Sequence, residues 1–327
     1  MNKKTLGLLA AVCLGTATGC GAKGTYVGLG YTASFTATQA TVNVAVAAFD
    51  NAGKIVNARL DVVQIPLTVT GEGENAVAGI DTSKNAALLS KVELGLDYNM
   101  KGSSGIGKEV YEQIEAFAQW TVGKTVEEVV AGTPGAGHGV AVNDELATSV
   151  TIGVDDFEAA LKDAYENKVA AKATAANAGV GIFVEMYGAN ELTTYIAGAV
   201  TDKKGKVEAA QIDNVVFPLA VAEGAAALQE GSKYVKDGAI VSKKKLGEDY
   251  KMDDYFEACT EDWYKQAAHI EEFVVGMDAA AVSAMTYADG YNDDLKAVGA
   301  TIKVESIMKS VAEAVSYSTK AVITAKP

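Results

Sequence analysis

Three cysteines, two histidines, four prolines and a single arginine are all that this 327-residue sequence holds of those types. Cys13 and Cys20 lie within the first twenty residues, so Cys259 alone remains for the body of the chain. One thiol closes no internal disulfide, and no CxxC or Cys/His cluster is present to hold a metal. The fold must therefore rest on its core, which a chain with 49% hydrophobic residues is long enough to build. Arg59, the only arginine, argues against bidentate side-chain recognition of phosphate or carboxylate. An anionic ligand would have to lean on backbone N–H groups or lysine. His138 and His269 sit at unrelated places, with no recurring acid and nucleophile around them, which argues against a hydrolytic triad. Acids outnumber bases by 42 to 28, and a net charge of −14 disfavours nucleic acid and anionic lipid as partners. The short GLG and GAG runs lack a Rossmann context and point to no dinucleotide.

What is present begins with an export signal over residues 1–20. Lys3 and Lys4 form a basic end, and Leu6 to Leu14 form an apolar run too short to span a bilayer. Ala17, Thr18 and Gly19 then lead into Cys20. This resembles a bacterial lipoprotein signal peptide, in which the cysteine becomes the lipidated first residue of the mature protein. Ala17 stands where such signals more often carry leucine. The expectation is a protein anchored through Cys20 to the extracellular face of the cell membrane, with residues 21–38 as a spacer.

An internal repeat follows. Asp50, Gly53, Lys54, Asp61 and Pro66 recur 152 positions later as Asp202, Gly205, Lys206, Asp213 and Pro218. The same offset carries Leu94-Gly95, Asp97-Tyr98 and Met100 onto Leu246-Gly247, Asp249-Tyr250 and Met252. Near that offset Tyr111 and Gln113 return as Tyr264 and Gln266, and Asp144 and Thr151 as Asp294 and Thr301. A period this long marks domains, not solenoid units. Each copy predicts a hairpin turning at Asp50–Gly53 or Asp202–Gly205, with a return strand that stops near the proline. Amphipathic helices follow, one of them opened by the capping box Thr125–Glu128. The fold class predicted is α+β: two tandem homologous modules, 39–167 and 179–318, each a small antiparallel sheet with helices packed on one side. Residues 168–178 read as a linker, either a short helix or loose chain.

Each copy closes on a threonine turn before a helix whose apolar face is Phe157, Leu161 and Ala164, or Ile307, Val311 and Ala314. In the second copy the turn is Gly299-Ala300-Thr301, and glycine permits close approach of backbone to a ligand. Threonine is also a favoured N-cap, so capping of the following helix is the plain alternative for Thr301 and Thr151. Asp155-Asp156, Asp253-Asp254 and Lys243–Lys245 read as solvated charges.

The order LGxDYxM, a YxQ helix, VGKT and a closing small-residue threonine turn resembles the PplA-like flavinylated, FMN-binding lipoproteins of Gram-positive bacteria. The resemblance covers both modules and the lipoprotein start. In that family a flavin transferase joins FMN through a phosphoester to a threonine or serine ending a motif like D-x-x-[ST]-G-A-[ST]. The protein then passes electrons from a membrane dehydrogenase to extracellular acceptors, as a carrier and not an enzyme. The resemblance implies Thr301 as the attachment residue, with Gly299 and Ala300 beside it. Val298 departs from the motif, and Asp294 stands one place too far upstream. In the first module Ser149-Val150-Thr151 replaces the Gly-Ala-Thr turn, which puts Thr151 in doubt as a flavin carrier. Tyr98, Met100, Tyr250, Met252, Trp120 and Trp263 are candidates to line the flavin ring; at such spacings core packing is the plainer reading. Two other readings remain open: a flavin-free binding or structural lipoprotein on the same scaffold, and a pheromone source in Leu6 to Gly19.

Overall fold

The computed structural model describes residues 25–83, 85–134, 138–171, 174–252 and 261–320. The signal with Cys20, together with Cys259, Asp253 and Asp254, lies outside the described residues. The protein is α+β, with two main sheets that are antiparallel throughout.

The first sheet contains β1 (Thr25–Thr36), β2 (Gln39–Phe49), β3 (Ile55–Thr70), β4 (Val77–Ile80) and β5 (Val169–Ala171), in the order β4-β3-β2-β1-β5. The second contains β6 (Asn177–Tyr187), β7 (Glu191–Thr201), β8 (Val207–Ala222) and β9 (Ala225–Leu228), in chain order. The β2–β3 turn is tied by Asp50, whose carboxylate accepts from the N–H groups of Ala52 and Lys54, both at 2.9 Å. Asp202 does the same for Lys204 and Lys206 at 2.7 and 3.0 Å. The return strands do not stop at the prolines. At Pro66 the strand leaves β2 and pairs onward with β4, and at Pro218 it leaves β7 for β9. Proline has no N–H to offer a ladder, so it is tolerated at such a change of partner.

The two sheets pack face to face. Val42, Val44 and Val46 of β2 and Val63 and Ile65 of β3 share one apolar cluster with Val180 and Ile182 of β6, Ile196 of β7 and Phe217 of β8. Gly198 of β7 lies so close that a Cβ there would meet Val46 at 2.6 Å. The alternate residues of each strand face outward onto helices. Ala45, Ala47 and Phe49 pack on α2 (Val110–Thr121), α3 (Val126–Gly132) and α4 (Asp155–Glu166). Tyr195, Ala197 and Ala199 pack on α6 (Trp263–Phe273), α7 (Ala279–Ser283), α8 (Asp293–Ala297) and α9 (Glu305–Thr319). The layers thus run helices, sheet, sheet, helices.

This arrangement corrects two expectations. Residues 25–36, expected within a spacer, form β1, an inner strand between β2 and β5. Its glycines disguise the alternation of buried Val27, Leu29 and Tyr31. Within 168–178, expected as a helix or loose linker, Val169–Ala171 is the edge strand β5, paired with Thr25–Val27. The GLG run also acquires a purpose. A Cβ on Gly28 or Gly30 would stand 1.9 or 2.2 Å from the carbonyl oxygens of Ala164 and Ala160 in α4. Gly179 and Gly181 meet Ala314 and Ser310 of α9 in the same way, both at 1.9 Å.

Candidate functional site

The site is built from the threonine turns upward. In the second half, Asn292 caps α8 by accepting from the Leu295 N–H at 2.9 Å, and Leu295 is fully buried. The Leu295 carbonyl then accepts from the Ala300 N–H at 2.9 Å, which curls the chain through Gly299 at φ +108°. A side chain at Gly299 would also strike the ring of His269, 2.8 Å from the position of its Cβ. The glycine is thus called for by the turn, and any side chain there would push the His269 ring aside. His269 in turn pairs with Glu261 at 2.9 Å.

Thr301 follows immediately. Its N–H and hydroxyl donate to Oε1 of Gln266 at 2.8 and 3.2 Å, and the Ile302 N–H donates to the same oxygen at 3.1 Å. Gln266 is completely buried in α6, and its own amide donates to the Glu261 carbonyl at 2.8 Å. The first half repeats the fixture. Thr151 donates from N–H and hydroxyl to Oε1 of buried Gln113 at 2.8 and 3.2 Å. The glutamine of YxQ is the residue that organises each turn, and its recurrence beside the threonine was the available signal.

Neither threonine is an N-cap. Helix α9 starts at Glu305 with Val304 as its cap residue, and α4 starts at Asp155 with Val154 in that position. The plain capping role expected for Thr301 and Thr151 is therefore overturned: Gln266 and Gln113 take the hydroxyls instead. The register of the two turns also differs from a simple overlay. Asn143 caps Leu146 as Asn292 caps Leu295, but the Val150 N–H reaches the Leu146 carbonyl with one residue fewer between them. Ser149 is not in the left-handed region. The first turn lacks a glycine because it is one residue shorter.

Each threonine borders a cleft on the outer face of its sheet. The cleft at Thr301 has a volume of about 880 Å³ and is walled by Tyr187, Tyr195, Tyr234, Tyr250 and Tyr291, with Met252 and Trp263. Burial pushes the hydroxyls of Tyr195 and Tyr234 far above the ordinary tyrosine value, so both stay neutral. Tyr195 donates to Glu185 at 2.8 Å. Lys233 and Lys243 stand over the Tyr250 ring, 3.9 and 5.3 Å from its centroid, and Lys303 lines the same cleft.

The cleft at Thr151 is smaller, about 470 Å³, and holds Tyr98, Met100 and His138. Asn43 occupies the strand position that Tyr195 occupies in the second half. Trp120, a candidate ring contact, lies in neither cleft; it stacks on Phe117 at 6.0 Å. Tyr187, Tyr195, Tyr234 and Tyr291 were not singled out in the sequence. Comparing the copies position by position would have exposed the exchange of Asn43 for Tyr195.

The buried acids of the repeat position the cleft walls. Asp61 accepts from the Ser90 hydroxyl at 2.6 Å and from the Val92 N–H at 3.1 Å, and Asp213 accepts from Ser242 at 2.6 Å and Lys244 N–H at 2.9 Å. These bonds fasten α1 (Lys91–Leu94) and α5 (Lys243–Leu246) to β3 and β8, and the turns bearing Tyr98 and Tyr250 follow directly. Burial raises the Asp61 carboxyl to about 7 and that of Asp213 to about 6.

The second cleft suits a flavin mononucleotide in volume and in its aromatic walls. Its lysines, Lys233, Lys243 and Lys303, share the lining with Glu185, Glu191, Asp289 and Glu305, so a phosphate would be met by individual lysines and not by a cationic surface. The first cleft has fewer of these features. No protein-family profile and no solved structure matches the chain. A protein named chlorophenol reductase from Desulfitobacterium hafniense is similar to it, 36% identical over 122 residues. That match covers 33% of this chain and 37% of the relative, so the chain spans little more than a third of the relative's length. No helix among the described residues is long and apolar enough to cross a membrane.

Proposed function

We propose that this chain is an electron carrier, built from two tandem homologous modules, with FMN joined by a phosphoester bond to Thr301. The observation that carries the reading is Thr301 itself, held by buried Gln266 at the edge of a tyrosine-walled cleft of about 880 Å³. FMN bound there supplies the redox chemistry by taking up and releasing electrons. The residues of the chain do the remaining work. Gln266 fixes the direction of the hydroxyl and both adjoining N–H groups. Tyr187, Tyr195, Tyr250 and Tyr291 supply aromatic walls for the ring, and Lys233, Lys243 and Lys303 are the cations available to a phosphate.

Thr151 has the same glutamine but a cleft of about 470 Å³ with Asn43 in place of a tyrosine. The first module is therefore a flavin-free partner of the second. A lipid on Cys20 would hold the carrier at the extracellular face of the membrane. A flavin transferase would load it, a membrane dehydrogenase would reduce it, and an acceptor outside the cell would oxidise it. The similar protein from Desulfitobacterium hafniense is a reductase by name, which agrees with a redox role.

The test is intact-mass spectrometry of residues 21–327 coexpressed with a bacterial flavin transferase. One added FMN, lost in Thr301→Ala and kept in Thr151→Ala, is the expected result. Two additions would refute the flavin-free first module. No addition, under conditions that load a known flavinylated protein, would refute the carrier reading.

A further inference from the structure

The two edges of the sheet-to-sheet junction are built alike but closed differently. At one edge the Tyr31 N–H of β1 donates to Asp163 of α4 at 2.9 Å, and Lys245 of α5 bridges to the same carboxylate at 2.8 Å. At the other edge the matching Ile182 N–H of β6 donates to Glu313 of α9 at 3.0 Å. The residue in the place of Lys245 is Glu93 of α1, 152 positions earlier. A lysine–aspartate bridge at one edge thus becomes a meeting of two carboxyl groups at the other.

Both carboxyl groups are largely enclosed. Oε2 of Glu93 accepts from the Ser90 N–H at 2.9 Å, which completes the capping box of α1. Oε1 of Glu313 is sealed from solvent with no donor in reach. Two ionised carboxylates there would repel each other and leave that oxygen unsatisfied; one proton between them removes both problems. The surroundings offset the pair only in part, through Lys320. Asp61 faces it from β3, Tyr317 from α9, and Lys320 from the position directly after α9. Arg59 of β3 is already bound to Glu115 of α2, and both line a small cavity together with Asp61, Tyr111, Tyr317 and Lys320.

We propose that Glu93 and Glu313 form a proton-operated latch between the two sheets, with the Lys245–Asp163 bridge as the fixed side. While the pair holds its proton the Ile182 edge is closed, and alkaline pH opens it. Burial raises both carboxyls above their ordinary value, and at Glu313 repulsion from Glu93 and Asp61 adds to it. The folded state therefore binds the proton that the unfolded state has released, and this stabilisation is lost as pH rises through the folded value.

Two amides report on the two edges: Ile182 next to Glu313 and Tyr31 next to Asp163. Hydrogen exchange of the full chain is followed from pH 7 to 10 and corrected for the intrinsic rate. Once the pair titrates, opening at Ile182 should rise about tenfold per pH unit while Tyr31 stays level. Glu93→Lys gives this edge the chemistry of the other and should abolish the rise. A neutral-carboxyl infrared band should persist in the unaltered protein at pH 8 and disappear in Glu313→Gln. Equal pH dependence at the two amides, or absence of that band, would overturn the latch without touching the flavin assignment. Neither of those two observations depends on a variant that must fold.

Discussion

Gly181→Ala offers a sharp test of the helix-on-strand packing because two physical effects predict opposite signs. In the interior of a strand, alanine should stabilise by roughly 0.5–1 kcal/mol, because glycine gives up more freedom on folding. At Gly181, however, the new Cβ would lie 1.9 Å from the Ser310 carbonyl oxygen and 2.6 Å from the Ala314 nitrogen. Ordinary contact begins at 3.4 Å, so α9 must retreat by about 1.5 Å. A gap of 0.5–1 Å already forfeits about a quarter to a half of a dispersion contact. The loss falls on the buried face of α9, formed by Ile307, Met308, Val311 and Val315. A cost of about 3 kcal/mol is expected, at the upper end of overpacking penalties. Urea unfolding followed by intrinsic fluorescence measures it, with Gly79→Ala as control, since nothing lies within 4 Å of a Cβ at Gly79. A Gly181→Ala variant within 1 kcal/mol of that control would refute the close-packing argument.

Gln266→Met should leave the N–H groups of Thr301 and Ile302 without their acceptor and cost about 1–3 kcal/mol, measured by thermal unfolding. Loading at Thr301 should fall with it, whereas Gln113→Met should destabilise the first turn and leave loading intact. Stability should decline as pH rises from about 4 to 7, because Asp61 and Asp213 are raised by burial to about 7 and about 6 and the folded state holds protons that the unfolded state does not. Asp61→Asn with Asp213→Asn should flatten that decline in urea titrations; an unchanged slope would count against burial as its cause. Tyr195→Asn gives the second cleft the residue of the first, and should brighten the fluorescence of attached flavin if the tyrosine packs on the ring.

Local features of the fold were legible in the sequence wherever a single segment carries its own instructions. Asp50 and Asp202 announce their turns, and Thr125 with Glu128 forms the capping box of α3. What could not be read locally was decided by partners distant in the chain. The strand β1 looked like a spacer because Gly28 and Gly30 answer to α4, more than a hundred residues later. Val42, Val44 and Val46 promised one buried face, yet Ala45, Ala47 and Phe49 on the opposite face of the strand are buried as well, since each sheet is covered on both sides. At the candidate site, the threonines, the glutamines and Tyr250 were visible as repeated letters. The walls were not, because Tyr187, Tyr195, Tyr234 and Tyr291 come from separate segments and depart from the repeat. The threonine as N-cap failed for a local reason: two residues still separate Thr301 from the cap residue Val304, and two separate Thr151 from Val154.

Covering one sheet with the other has a consequence for how the protein is made. As the chain emerges from the ribosome, β1 to β5 can assemble with their helices, but the inner face of Val42, Val44, Val46, Val63 and Ile65 has nothing to cover it. Its cover, β6 to β9, is still to be synthesised, a delay of several seconds at about 5–20 residues per second. For that interval the nascent protein carries an adhesive apolar plate, open to any neighbour with a matching one. Two unfinished chains meeting at that moment could trade partners and mature as a swapped pair. Whatever shortens that interval, or shields the plate during it, keeps each first half for its own second half.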